Sequence, residues 1–225
     1  MLCGLDGYGE VSVRPRAVRQ LVLVAGLVPT VWALTAQAQE SPHLRGRLIA
    51  VLALPASMAG RVTPDTRYLA LELASKLRVA GAQVVVAGVD TPVPLEELTF
   101  TGNSSGPDAT IAVLSLGPSK KCAATIAPER VRKPSQSDGA LGKEELARVV
   151  EQVSAWSRAE WSANLAGLLA AVVRSCPRKA TEVERYVLHH TNSPMVILSV
   201  SSSDANGLLA KVPGALEQWL AMEQK

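Results

Sequence analysis

Histidine, cysteine and aromatic side chains are all scarce in this sequence, and each scarcity removes a class of function. The 225 residues include three histidines, His43, His189 and His190, with none between the first and the second. Read on a strand, adjacent His189 and His190 point to opposite faces and cannot serve one metal together. Outside the N-terminal segment the cysteines are Cys122 and Cys176. Neither belongs to a CxxC pair or neighbours a histidine, which argues against a thiolate metal centre. Aromatics make up 4% of the chain, with a single Phe. No basic stripe interleaved with aromatics exists, so nucleic acid is not a partner. Nucleophile and nucleotide motifs are missing as well. Ser57 sits in Pro-Ala-Ser-Met-Ala without the glycines of a GxSxG elbow, and no GxGxxG or P-loop follows a strand.

What is present begins with an address. Arg14, Arg16 and Arg19 precede the apolar run Leu21–Val28, apolar character continues to Ala36, and Ala36-Gln37-Ala38 offers a small-x-small cleavage site. Residues 1–38 therefore read as a signal peptide. Pro29 and the short apolar length disfavour an uncleaved anchor, the one route by which this chain would hold a membrane. Outside residues 1–38, which carry two acidic residues, 20 basic residues face 18 acidic ones. The balance is that of an ordinary soluble surface, weakly suited to an anionic polymer such as a cell-wall glycan. Export places Cys122 and Cys176 in an oxidising compartment, where a disulfide and two free thiols both remain open.

Residues 39–225 read as one α/β domain. Arg47–Leu54, Gln83–Ala87, Thr110–Leu116 and Met195–Val200 are strand-length aliphatic runs bounded by Pro and Gly. Met195–Val200 is the centre of the pattern, a strand apolar on both faces and entered through Asn192-Ser193-Pro194. Between the strands, Thr63-Pro64-Asp65 opens a helix with N-cap, proline and acidic first turn in order. Leu69, Leu73, Ala74 and Leu77 give that helix a core face. A short helix starts at Pro94, and Lys143–Ser175 is helical almost throughout. Leu146, Val149, Val150 and Val153 make one face of it, Leu165, Leu168, Leu169 and Val172 make another, and Trp156 and Trp161 between them mark a bend or break. Asn206-Gly207 reads as a turn, and Pro213–Leu220 as a closing helix. Residues 119–142, polar, basic and rich in Pro, Ser and Gly, read as a flexible loop whose Lys120, Lys121, Arg130, Arg132 and Lys133 could meet an anion. The order β-α-β-α-β-α-β-α predicts a mostly parallel sheet flanked by helices on both faces. In such sheets ligands bind at the carboxyl ends of the strands. Here the last strand ends in Ser199-Val200-Ser201-Ser202-Ser203, hydroxyls without carboxylate, imidazole or thiol.

The layout resembles the zinc-dependent N-acetylmuramoyl-L-alanine amidases of bacterial cell walls, the amidase-3 type, with a phosphorylase/hydrolase-like fold. Leu52-Ala53-Leu54-Pro55-Ala56-Ser57-Met58-Ala59-Gly60 is similar to the family's Leu-Asp-Pro-Gly-His-Gly-Gly turn. Leu77–Val86, Asp90 and Val93-Pro94-Leu95-Glu96-Glu97 are similar to its helix, strand and VPLEER segment. Asn103 with Pro107–Leu114 is similar to its third strand, and Ser162-Ala163-Asn164-Leu165-Ala166 to its SxxLA helix. Tyr186-Val187-Leu188 to Ser199 is similar to its YVLR…PAVLVE segment. The resemblance covers about residues 47–118 and 157–221.

The resemblance implies roles that this chain does not fill. Ser57 and Leu114 stand where zinc-binding histidines are expected, and Ser199 stands for the catalytic glutamate. Asp65 is an imperfect substitute for a glutamate ligand. Zinc needs three His, Glu or Asp ligands and an open position to acidify water, and a serine hydroxyl is no general base near neutral pH. The expectation is an exported, periplasmic or envelope domain, catalytically inactive and without zinc, that binds peptidoglycan or a cell-wall hydrolase. The alternative is an active N-acetylmuramoyl-L-alanine amidase with groups relocated to Asp65, His189 or His190, and Asp204. A third reading is a structural envelope domain without a ligand.

Overall fold

The computed structural model describes residues 43–90, 93–117, 123–129, 131–134, 142–172, 178–201 and 205–223. All of these belong to one compact unit, Ala36–Lys225. The predicted signal segment 1–38 and Cys122, Cys176 and Asp204 lie outside the described residues.

Four strands, β1 (Leu48–Ala53), β2 (Gln83–Ala87), β3 (Ala109–Ser115) and β5 (Met195–Val200), are the aliphatic runs of the sequence. A three-residue strand, β4 (Ala124–Ile126), joins them. The sheet order is β2-β1-β3-β5-β4, with every pairing parallel except β4 against β5. Chain direction reverses its drift between β1 and β3, so the switch point of the sheet lies between their carboxyl ends. The mixed α/β architecture with a mostly parallel sheet is the one the sequence predicts.

Alternate side chains of each strand enter opposite layers, as a period of two requires. On one face Val51, Ile111, Val113 and Leu198 pack with α1 (Pro64–Val79), α3 (Lys143–Val172), α5 (Ala205–Leu209) and α6 (Val212–Glu223). The other face carries Leu52, Ala112, Leu114 and Ile197 under α2 (Leu95–Ser104) and α4 (Glu182–His190). Both layers are dry: Val51, Leu52, Ile111, Ala112, Ile197 and Leu198 have no solvent exposure.

Four local expectations are corrected. His189 and His190 end a helix, α4, rather than lying on a strand. Thr181 and Glu184 form a capping box there, and Val183 and Val187, four apart, bury one face. The 119–142 loop contains β4, because β5 has a free edge and Ala124–Ile126 satisfies its backbone. Residues 205–209 form α5 instead of a turn at Asn206-Gly207, with Leu208 and Leu209 held in the core. Helix α3 runs unbroken through Trp156 and Trp161, and its expected face Leu146, Val150 and Val153 is exposed. Only the second half of α3, through Leu165 and Leu169, meets the core.

Polar clamps fix the two edges of the sheet. At the amino edge Asp108 accepts from the Arg47 guanidinium at 2.8 Å and the Leu48 amide at 2.7 Å. There too Asn103 donates to the His190 carbonyl and accepts from the Asn192 amide, each at 2.8 Å. At the carboxyl edge the Ser115 amide donates to the buried Thr66 hydroxyl at 3.1 Å, tying the start of α1 to the end of β3. Gly88, with φ +83°, turns the chain out of β2 so closely that an added Cβ would lie 2.6 Å from the Ala53 carbonyl. Gly88→Ala is expected to cost about 1–3 kcal/mol, since it adds backbone strain to that contact. Urea unfolding measures the loss; wild-type stability would show that the two strand ends can separate freely.

Candidate functional site

The carboxyl ends of β1, β3 and β5 share one edge, and the sequence-predicted site residues divide between that edge and the opposite one. Ser57 follows β1 in an exposed turn, where its carbonyl accepts from the Gly60 amide at 2.9 Å. A Cβ at Gly60 would sit 2.6 Å from the Ser57 hydroxyl, which is free to rotate, and 3.1 Å from the Ser57 carbonyl. Leu114 is 6% exposed and belongs to the apolar layer beneath α2 and α4. It stands in register with Ser199 on the neighbouring strand, which has no exposure at all. Asp65 lies exposed in the first turn of α1, at the same edge but on the opposite face of the sheet from α4.

His189 and His190 are elsewhere. They close α4, a few residues before β5 begins, and so stand at the amino edge with Asn103 and Asn192. A six-residue strand separates the two edges by roughly 20 Å. Both histidines are exposed; the His190 ring stacks on Tyr186 at 4.1 Å and its Nδ1 meets the Tyr186 carbonyl at 2.8 Å. The structure therefore does not bring Asp65 together with either histidine. Of the basic loop residues, Lys133 lies over the Trp156 ring at 5.2 Å, while Lys120, Lys121 and Arg130 fall outside the described residues.

Two residues that the sequence reading passed over occupy the end of β5. Helix α4 begins at its capping box, with the Thr181 hydroxyl accepting from the Glu184 amide at 3.3 Å. Glu184 has no solvent exposure, and its carboxylate is met by four donors. Oε2 accepts from the Thr181 amide at 2.7 Å and from Arg178 Nη1 at 2.9 Å. Oε1 accepts from Arg178 Nη2 and from the Ser199 hydroxyl, the latter at 3.2 Å. Arg178 Nη2 also donates to Ser199 Oγ, which closes a ring of three side chains. The Arg178 side chain is 20% exposed, and its Nε–H is buried without a hydrogen-bond partner among the described residues. The sequence does carry a signal for this cluster: Thr181-x-x-Glu184 has capping-box spacing.

This donor set does not fit zinc. The positions where the resemblance puts metal and catalytic ligands offer an exposed hydroxyl, a hydrocarbon, a hydroxyl already engaged by an ion pair, and in Asp65 a single exposed carboxylate on the other face of the sheet. Among the described residues no three His, Cys, Asp or Glu side chains converge. What the cluster can do is hold charge in place. A buried carboxylate needs a partner, and a bidentate guanidinium is the geometry that supplies most.

The fold defines a class first: a switch-point α/β sheet with helices on both faces. Solved structures of N-acetylmuramoyl-L-alanine amidases share this fold. The enzyme from Clostridium difficile 630 superposes with a TM-score of 0.50 at 13% identity, over 80% of this chain and 97% of that one. Ami1 from Mycobacterium smegmatis gives 0.47 at 13%, over 80% and 99%. The CwlD amidase from Clostridioides difficile, solved with the GerS lipoprotein, gives 0.48 at 11%, over 79% and 100%. At such identities the likeness establishes the fold. No family model matches the sequence, and no curated protein matches it.

Removing one side of the buried pair has a predictable cost. Arg178→Ala strands the Glu184 carboxylate and is expected to lower stability by about 3–5 kcal/mol. Replacing both partners together, R178M/E184L, strands no charge but leaves the Thr181 amide and the Ser199 hydroxyl without their acceptor, and should cost less, about 1–3 kcal/mol. Chemical denaturation of the two variants checks this; a single substitution as mild as the double one would mean that the pair is not desolvated.

Proposed function

We propose that this chain is an exported, catalytically inactive relative of the cell-wall amidases, which binds peptidoglycan or a cell-wall hydrolase through the carboxyl edge of its sheet. The observation that carries the reading is Ser199. At the position where the family resemblance puts a catalytic carboxylate, its hydroxyl is buried and bonded to Arg178 and Glu184. Leu114 beside it brings only hydrocarbon. A serine so held neither binds a metal ion nor takes a proton from water near neutral pH. The leader-like residues 1–38 support delivery outside the cytoplasm. An intact amidase-like fold without that chemistry is consistent with a retained binding surface, since function resides in sites rather than folds.

The alternative, an active amidase with relocated groups, needs Asp65 and a histidine at one place. Asp65 starts α1 at the carboxyl edge and His189 and His190 end α4 at the amino edge, which weighs against it.

Purified protein should co-sediment with isolated peptidoglycan sacculi, or be retained by a cell-wall hydrolase, and should release no dye from labelled sacculi with or without added zinc. Chelator-sensitive dye release would establish the active alternative. Failure to associate with sacculi and with hydrolases alike would leave the purely structural reading.

A further inference from the structure

The disagreement between this site and zinc goes further than absent ligands. A carboxylate offers about four lone-pair positions on its two oxygens. Those of Glu184 are taken by Arg178 Nη1, Arg178 Nη2, the Thr181 amide and the Ser199 hydroxyl. Arg178 also reaches Ser199 directly, so one guanidinium spans both polar side chains at the end of the strand. A guanidinium and a metal ion ask for the same thing, acceptor oxygens in a desolvated place, and cannot be satisfied by the same lone pairs at once. The arginine is moreover part of the chain, so its local concentration does not depend on supply.

We infer that Arg178 is the resident cation of this site: its guanidinium holds the acceptor oxygens of Glu184 and of residue 199 that any added cation would need. The inference rests on the inactive reading proposed above and deepens it. The site is closed to metal by an added cation as well as by missing ligands. A carboxylate introduced at position 199 alone would be captured by Arg178. With Arg178 gone, two carboxylates would face each other across a desolvated gap, and a divalent ion would relieve their repulsion.

Three proteins test this in zinc chloride, manganese chloride and chelator: wild type, S199D and R178M/S199D. Each ion should raise the melting temperature of R178M/S199D by several degrees, as expected when a ligand binds only the native state, with reversal by chelator. S199D should show no shift. In the wild type the Nε–H resonance of Arg178 should exchange slowly and stay in place as zinc is added. The inference is overturned if R178M/S199D responds to neither ion, if S199D binds zinc as tightly as R178M/S199D does, or if zinc displaces the Arg178 resonance in the wild type. Should R178M/S199D not fold without metal, folding in zinc but not in chelator supports the inference, and folding in neither overturns it. Zinc held elsewhere by the wild type, with the Arg178 resonance unmoved, would overturn the inactive reading while bearing this one out.

Discussion

An ionised carboxylate cut off from water must find its hydration replaced by the protein, and Glu184 is the point at which this fold meets that demand. The residue does three jobs at once. It completes the capping box that starts α4, it fixes Arg178 ahead of that helix, and it orients the hydroxyl that ends the apolar run of β5. Helix, connection and strand therefore share one electrostatic joint. The joint lies over the layer containing Leu114, Val183 and Val187, so its low-dielectric surroundings strengthen the pair and also make it costly to break.

The parallel register places that joint where an α/β sheet ordinarily keeps its chemistry. Leu114 opposite Ser199, with the Ser57 turn beyond the end of β1, lies at the carboxyl edge, where sheets of this kind ordinarily take their ligands. The same register separates the other polar candidates. Asp65 begins a helix on the far face, and the histidine pair ends a helix at the far edge. Because elements that follow strands start at one edge and those that precede strands finish at the other, no loop rearrangement of ordinary size unites them.

Much of this was legible in the sequence. Aliphatic runs bounded by Pro and Gly marked four strands, and Thr63-Pro64-Asp65 marked α1 with its N-cap. Where the reading went wrong, a tertiary partner had overridden the local pattern. The stripe Leu146, Val150, Val153 has helical spacing, yet spacing says only that a face exists and not that anything covers it. His189 and His190 were read on a strand, but the capping box of Thr181 and Glu184 commits the segment that carries them to a helix. Arg178 was invisible for a different reason. Its partner Ser199 lies 21 residues away, and only the crossing of α4 over β5 brings them together.

An emptied strand end and a filled one differ in what occupies the space. Deleting ligands alone leaves cavities or orphaned polar atoms, each of which costs stability. At the end of β5 the carboxylate of Glu184 and the hydroxyl of Ser199 are both bonded and buried, and Leu114 is packed into its layer; the Arg178 Nε–H is without a partner among the described residues. That pattern is a consistent packing solution for a sheet of this register, in which a side-chain cation and a hydrocarbon take the central positions. A carboxylate placed at 199 would meet a guanidinium, and a histidine placed at 114 would enter a dry apolar layer with no partner for its second nitrogen.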